Sequence, residues 1–143
     1  MILGGWKRMM SLTSIYYSVP LSTSTFHSLI ASKASTGTRT TLLTQVFEGL
    51  AYLHREGITH RDIKPANLTV QSYDPPFAQV IDFGSATAKT RILYDWPGTI
   101  PYLAPEQREG EYHGCHVDYW ACALVGLQIL GHRIPNSQIT EKD

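Results

Sequence analysis

The sequence predicts an α+β fold that is mainly helical, with one short β-hairpin set against the helices. Three observations carry this. Between Thr41 and His54 the apolar residues Leu43, Val46, Phe47, Leu50 and Leu53 recur every three or four positions, the spacing that lines one buried face of a helix. From Tyr119 to Leu130 nearly every residue is apolar, which predicts a helix buried on all sides and too short to span a bilayer, since a span takes about 20 apolar residues. Finally, Leu68-Thr69-Val70 and Ala78-Gln79-Val80-Ile81 are β-prone runs joined by the turn-rich Ser72-Tyr73-Asp74-Pro75-Pro76, and they read as a hairpin.

A chain of 143 residues suggests one domain, and 43% hydrophobic composition is enough for a sizeable core. Lys plus Arg number 12 and Asp plus Glu 12, so no charge bias points to nucleic acid or a membrane surface as partner. Two unpatterned cysteines, Cys115 and Cys122, favour a reducing compartment, cytoplasm or nucleus. Residues 1–14 form a poorly defined leader. No acid precedes Glu48, a bias shared with organellar transit peptides, but Lys7, Arg8, Lys33 and Arg39 make no amphipathic stripe. The plainer expectation is a strand at Ile15-Tyr16-Tyr17, a connector and a small helix ahead of the helix that Gly57 stops.

Between that helix and the hairpin lies His60-Arg61-Asp62-Ile63-Lys64-Pro65-Ala66-Asn67. Pro65 disfavours helical geometry at Lys64, so the segment should be a fixed extended turn. Transfer of a phosphoryl group to a hydroxyl needs a carboxylate to orient the hydroxyl and take its proton, a cation to meet negative charge, and an oxygen ligand for magnesium. Asp62, Lys64 and Asn67 supply these in order. Ile81-Asp82-Phe83-Gly84 adds a second carboxylate at the exit of the hairpin, and Gly98-Thr99-Ile100-Pro101-Tyr102-Leu103-Ala104-Pro105-Glu106 follows.

These three motifs, in this order, resemble the signature set of eukaryotic-type Ser/Thr protein kinases, covering the large lobe only, over about residues 15–135. The resemblance implies a partial kinase domain over 15–143: a hinge remnant near residues 17–20, the catalytic loop, the activation segment and a central helix. It implies ATP and Mg2+ as cofactors. Asp62, Lys64 and Asn67 would be catalytic; Lys64, Asn67 and Asp82 would hold the nucleotide, with Asn67 and Asp82 on the metal. His60, Phe83 and Gly84 would be structural. Asp118 would tie down the backbone of the catalytic loop, and Ala123 stands where the family usually has glycine, which should tighten packing. Lys64 with Thr99 would mark Ser/Thr specificity. Arg61 would receive an activation-segment phosphate, at a position held here by Asp95.

Parts of the family pattern do not occur in the 143 residues: the Gly-rich phosphate loop, its strand lysine, and the late helices carrying an arginine partner for Glu106. Glu106 is therefore expected to be exposed or, if buried alone, to destabilise the fold by about 3–5 kcal/mol. The partners implied are a protein substrate with a Ser or Thr hydroxyl and a small lobe or activating chain. A kinase-derived interaction module without catalysis is the alternative. His113, Cys115 and His116 are expected to be loop residues ahead of the central helix and not a metal site.

Overall fold

The computed structural model describes residues 24–92, 98–111 and 113–134. The expected strand at residues 15–17, the hinge remnant, Asp95 and the polar tail after Ile134 lie outside the described residues. In order the elements are β1 (Ser24–Thr25), α1 (Phe26–Ala31), α2 (Thr36–Arg55), β2 (Leu68–Tyr73), β3 (Pro76–Val80), α3 (Pro105–Arg108) and α4 (His116–Ile129), with 3-10 turns at Pro65–Asn67 and Ile100–Tyr102. The fold is α+β, as the patterning predicted: helices packed on one three-stranded antiparallel sheet of order β1-β2-β3.

Helix α2 begins five residues earlier than the apolar spacing indicated. Ser35 caps it, its hydroxyl accepting the Thr38 N–H at 3.1 Å, and a Ser cap satisfies an N–H that the first turn leaves unpaired. The first turns are mostly exposed Thr and Gly, so periodicity had nothing to register there. The fully buried row is Leu42, Val46 and Leu50, with Leu43, Phe47 and Leu53 only half-buried. Positions four apart stack on one face, and Leu42 rather than Leu43 falls on that row. The helix stops as predicted, with Gly57 at φ 71°.

The hairpin pairs Leu68 with Val80, Val70 with Ala78 and Tyr73 with Pro76, so its turn is tighter than the connector suggested. The side chain of Gln45 docks it on α2, donating from Nε2 to the Pro76 carbonyl at 2.9 Å and accepting the Ala78 N–H on Oε1 at 2.8 Å. Two backbone groups at the hairpin edge thus find partners on a helix. Beyond the last paired strand residue, Ile81 N–H donates to the Asn67 carbonyl at 2.9 Å, which draws the start of β2 and the exit of β3 together.

Helix α4 buries Val117, Ala121, Cys122, Leu124, Val125 and Ile129, packing on α1 and α2. It is not buried on all sides. Trp120 is 40% exposed and Leu127 38%, with Ala123 exposed between them, because among the described residues no element packs on that face. Ala123 therefore tightens nothing; the close approach is at Gly126, where a Cβ would meet Leu43 Cδ2 at 3.0 Å. Arg39 fastens the helix end, donating to the carbonyls of Ala34, Ser32 and Ile129 at 3.0, 2.7 and 2.5 Å. A cation suits a helix C-terminus, where unpaired carbonyls gather negative charge. No helix among the described residues is long and apolar enough to cross a membrane.

Candidate active site

The catalytic-loop segment is held from beneath by one buried carboxylate. Asp118, 1% exposed on the first turn of α4, accepts the backbone N–H of His60 on Oδ2 and of Arg61 on Oδ1, each at 2.8 Å. His54 Nε2 donates to the same Oδ2 at 2.8 Å. Arg61 takes φ 70°, a left-handed conformation costing a non-glycine residue roughly 1–2 kcal/mol. Charge-assisted bonds from Asp118 to both sides of that turn offset this cost.

The turn at Arg61 aims Asp62 into a cluster. Asp62 Oδ2 lies 2.8 Å from Lys64 Nζ and accepts from Asn67 Nδ2 at 3.0 Å, while Oδ1 accepts from the Thr99 hydroxyl at 3.0 Å. Lys64 Nζ also donates to Thr99 Oγ1 at 2.9 Å, and Asn67 Nδ2 to the Asp62 carbonyl at 2.8 Å. Four side chains separated by up to 37 residues thus share one point. Gly98 lets Thr99 reach it: at φ 127°, a Cβ there would sit 2.8 Å from the Arg61 carbonyl oxygen, inside any real contact, so only glycine fits.

His60 is fully buried and fixes the second motif to the first. Its Nε2–H donates to the Ile81 carbonyl at 3.0 Å, its Nδ1 accepts the Asp62 N–H at 3.3 Å, and its ring lies 4.9 Å from that of Phe83. Asp82 then takes φ 59° and accepts the Gly84 N–H on Oδ1 at 3.2 Å. It stands at the mouth of the hairpin, next to the Asn67 end of β2. Arg61 Nε donates to the Ser85 carbonyl at 2.6 Å, which places its guanidinium against the start of the segment that follows.

Among the described residues no three His, Cys, Asp or Glu side chains cluster as a metal site. A hard cation would instead find Asn67 and Asp82. Both Asn67 Nδ2 bonds go to Asp62, which leaves Oδ1 as its ligand atom, and Asp82 offers its second carboxylate oxygen. Two protein oxygens completed by phosphate and water are a common magnesium set.

Neither displaced titration belongs to this cluster. Burial, and then the charge of Asp118, push the Cys122 thiol up to about 12, so it stays protonated at neutral pH and is no nucleophile. Burial also raises Tyr102, partly offset by its hydroxyl bond to Gln128 Oε1 at 2.9 Å. The sequence missed one residue here. Glu106 is half-buried and not alone, since His116 Nε2 lies 2.8 Å from its Oε1; His116, expected in the loop, is the first residue of α4.

Helices around a hairpin, with a carboxylate, a lysine and a hydroxyl joined at its mouth, make the large-lobe part of an α+β kinase fold. The chain belongs to the protein kinase family: the family model described as "Protein kinase domain" matches residues 13–143. It is 40% identical over 100 residues to Serine/threonine-protein kinase grp of Drosophila melanogaster, covering 66% of this chain and 19% of that protein. It is 40% identical over 97 residues to Serine/threonine-protein kinase chk-1 of Caenorhabditis briggsae, covering 64% and 19%. Serine/threonine-protein kinase KSP1 of Saccharomyces cerevisiae (strain ATCC 204508 / S288c) is 32% identical over 113 residues, covering 73% and 11%. The chain therefore spans about a fifth or less of the length of these relatives.

Proposed function

We propose that these residues form the large-lobe part of a serine/threonine protein kinase, which transfers the γ-phosphate of ATP to Ser or Thr hydroxyls of a protein substrate in the cytoplasm or nucleus. The observation that carries the proposal is the Asp62, Lys64 and Thr99 triangle. Asp62 Oδ1, which now accepts the Thr99 hydroxyl, is the atom on which a substrate hydroxyl would be oriented and to which its proton would pass. Lys64, fixed by Asp62 and Thr99, presents its ammonium where negative charge gathers. Asn67 locks the Asp62 carboxylate from the other side and, with Asp82, would hold magnesium. When bound, Mg·ATP supplies the phosphoryl group and spreads its charge. The names of the relatives support the Ser/Thr class.

The test is a chimera in which the small lobe of the Drosophila relative precedes residue 13, offered ATP and a mixed peptide library. Phosphate is expected on serine and threonine. Phosphate mainly on tyrosine would sink the assignment of Lys64 and Thr99, and no transfer at all would favour the non-catalytic interaction module. The 143 residues alone should be nearly inactive, because the small lobe supplies most of the binding that positions the nucleotide.

Regulation follows from Arg61 and Asp95. A carboxylate of charge about −1, against about −1.5 to −2 for a phosphate, still forms a charge-assisted pair with a guanidinium. Asp95 would stand in for a phosphorylated residue, making the chimera active without prior phosphorylation. Asp95→Asn should lower its activity several-fold and Asp95→Glu should largely keep it. Full activity in Asp95→Asn, with a new requirement for phosphate on Thr90, would refute this.

A further inference from the structure

Helix α3 is a single turn whose preceding residue, Ala104, has no side-chain oxygen with which to cap it; its carbonyl accepts the N–H groups of Gln107 and Arg108 at 3.0 and 3.3 Å, and its own N–H donates to Gln107 Oε1 at 3.0 Å. Helix α4 likewise follows Cys115 without a side-chain cap. One-turn helices are not stable by themselves, and an uncapped N-terminus favours a nearby carboxylate. The Glu106 and His116 pair meets both needs at once. Glu106 comes from α3, its side chain 26% exposed, and His116 from the first turn of α4, 61% exposed.

We infer that His116 is a positioning residue, which with Glu106 closes a ring of contacts holding the Thr99 loop against the catalytic loop. The ring runs from Asp62 to Thr99 through their 3.0 Å hydrogen bond and along the turn at Ile100–Tyr102 into α3 and Glu106. It crosses to His116 at 2.8 Å, passes along the first turn of α4 to Asp118, and returns through the N–H groups of His60 and Arg61 to Asp62. Inside lies a cavity of about 10 Å³ lined by Arg61, Asp62, Thr99, Gln107 and Asp118, room for one water at most. A ring so closely filled transmits displacement of one side to the others. Losing the pair would let α3 drift, and with it the hydroxyl that occupies Asp62 Oδ1. The functional consequence rests on the reading of Asp62 as the base; the geometric one does not.

Backbone amide hydrogen exchange on the 143-residue chain tests the ring without any assay of activity. His116→Ala should speed exchange about threefold, the scale of a partly exposed side-chain pair, at Gln107 and Arg108 in α3 and also at His60 and Arg61 across the ring. His116→Arg should restore the original rates. Glu106→Gln should match His116→Ala, and the double variant should be no worse than either alone. Faster exchange confined to Val117 and Asp118, beside the substitution, would reduce the pair to a local cap and overturn the inference. So would additive effects in the double variant. If the ring holds while Asp62→Asn leaves phosphate transfer by the chimera intact, the reading of Asp62 as the base fails and the positioning of α3 stands.

Discussion

Replacing Asp118 with alanine is expected to cost about 3–5 kcal/mol of unfolding free energy, the range for removing one member of a buried charged network. The carboxylate is 1% exposed and serves three donors: the amides of His60 and Arg61 and the Nε2 of His54. Alanine would leave two backbone N–H groups unpaired, each costing about 1–3 kcal/mol when shut off from water. His54 would fare worse still, because its Nδ1 already has no partner among the described residues. Domains are stable by only about 5–15 kcal/mol, so a loss at the upper end of the expected range would leave much of the variant unfolded. Asp118→Asn keeps one acceptor oxygen and should fall between. Urea unfolding followed by circular dichroism measures all three proteins, and a loss below about 1 kcal/mol for alanine, the size of an ordinary hydrogen bond, would show that Asp118 does not hold the loop.

How much of this was legible in the sequence differs from element to element. The helix from Thr41, its stop at Gly57, the hairpin and the central helix each rest on local periodicity or turn chemistry, which sequence records directly. The ends were less legible. The Ser35 cap lengthens α2 through a hydroxyl-to-backbone bond that apolar spacing cannot register, and the exposed stripe of Trp120, Ala123 and Leu127 depends on what packs against α4, not on α4 itself. Motif spacing drew attention to Asp62, Lys64, Asn67 and Asp82, and the family resemblance added Thr99 and Asp118. It could not disclose that Arg61 and Asp82 take left-handed backbone, because neither residue type demands it. The partnership of Glu106 with His116 was equally hidden, since it joins two different helices across a loop.

The second large effect concerns Asp62, the residue on which the proposed chemistry turns. Its carboxylate is oriented by three side chains, Lys64, Asn67 and Thr99, none of which could take a proton from a substrate hydroxyl in its place: the lysine is already protonated, and the amide and the hydroxyl are too weakly basic. Asp62→Asn keeps the shape and the acceptor for Thr99 but removes the base. Loss of a positioned general base lowers rates by about 10²–10⁴, a loss that should fall mainly on kcat, since the expected magnesium ligand Asp82 is untouched, although the new amide no longer accepts from Asn67 and Lys64 as Asp62 Oδ2 does. Lys64→Met should act in the same direction through the lost ammonium.

The most direct measurement is steady-state transfer of phosphate from ATP to a serine peptide, comparing the chimera that keeps Asp62 with its Asp62→Asn variant. The variant's kcat is expected to fall at least about a hundredfold with the KM for ATP nearly unchanged. Retention of more than about a tenth of the native kcat would contradict the role of Asp62 as the base, because a positioned base typically contributes about 10²–10⁴-fold.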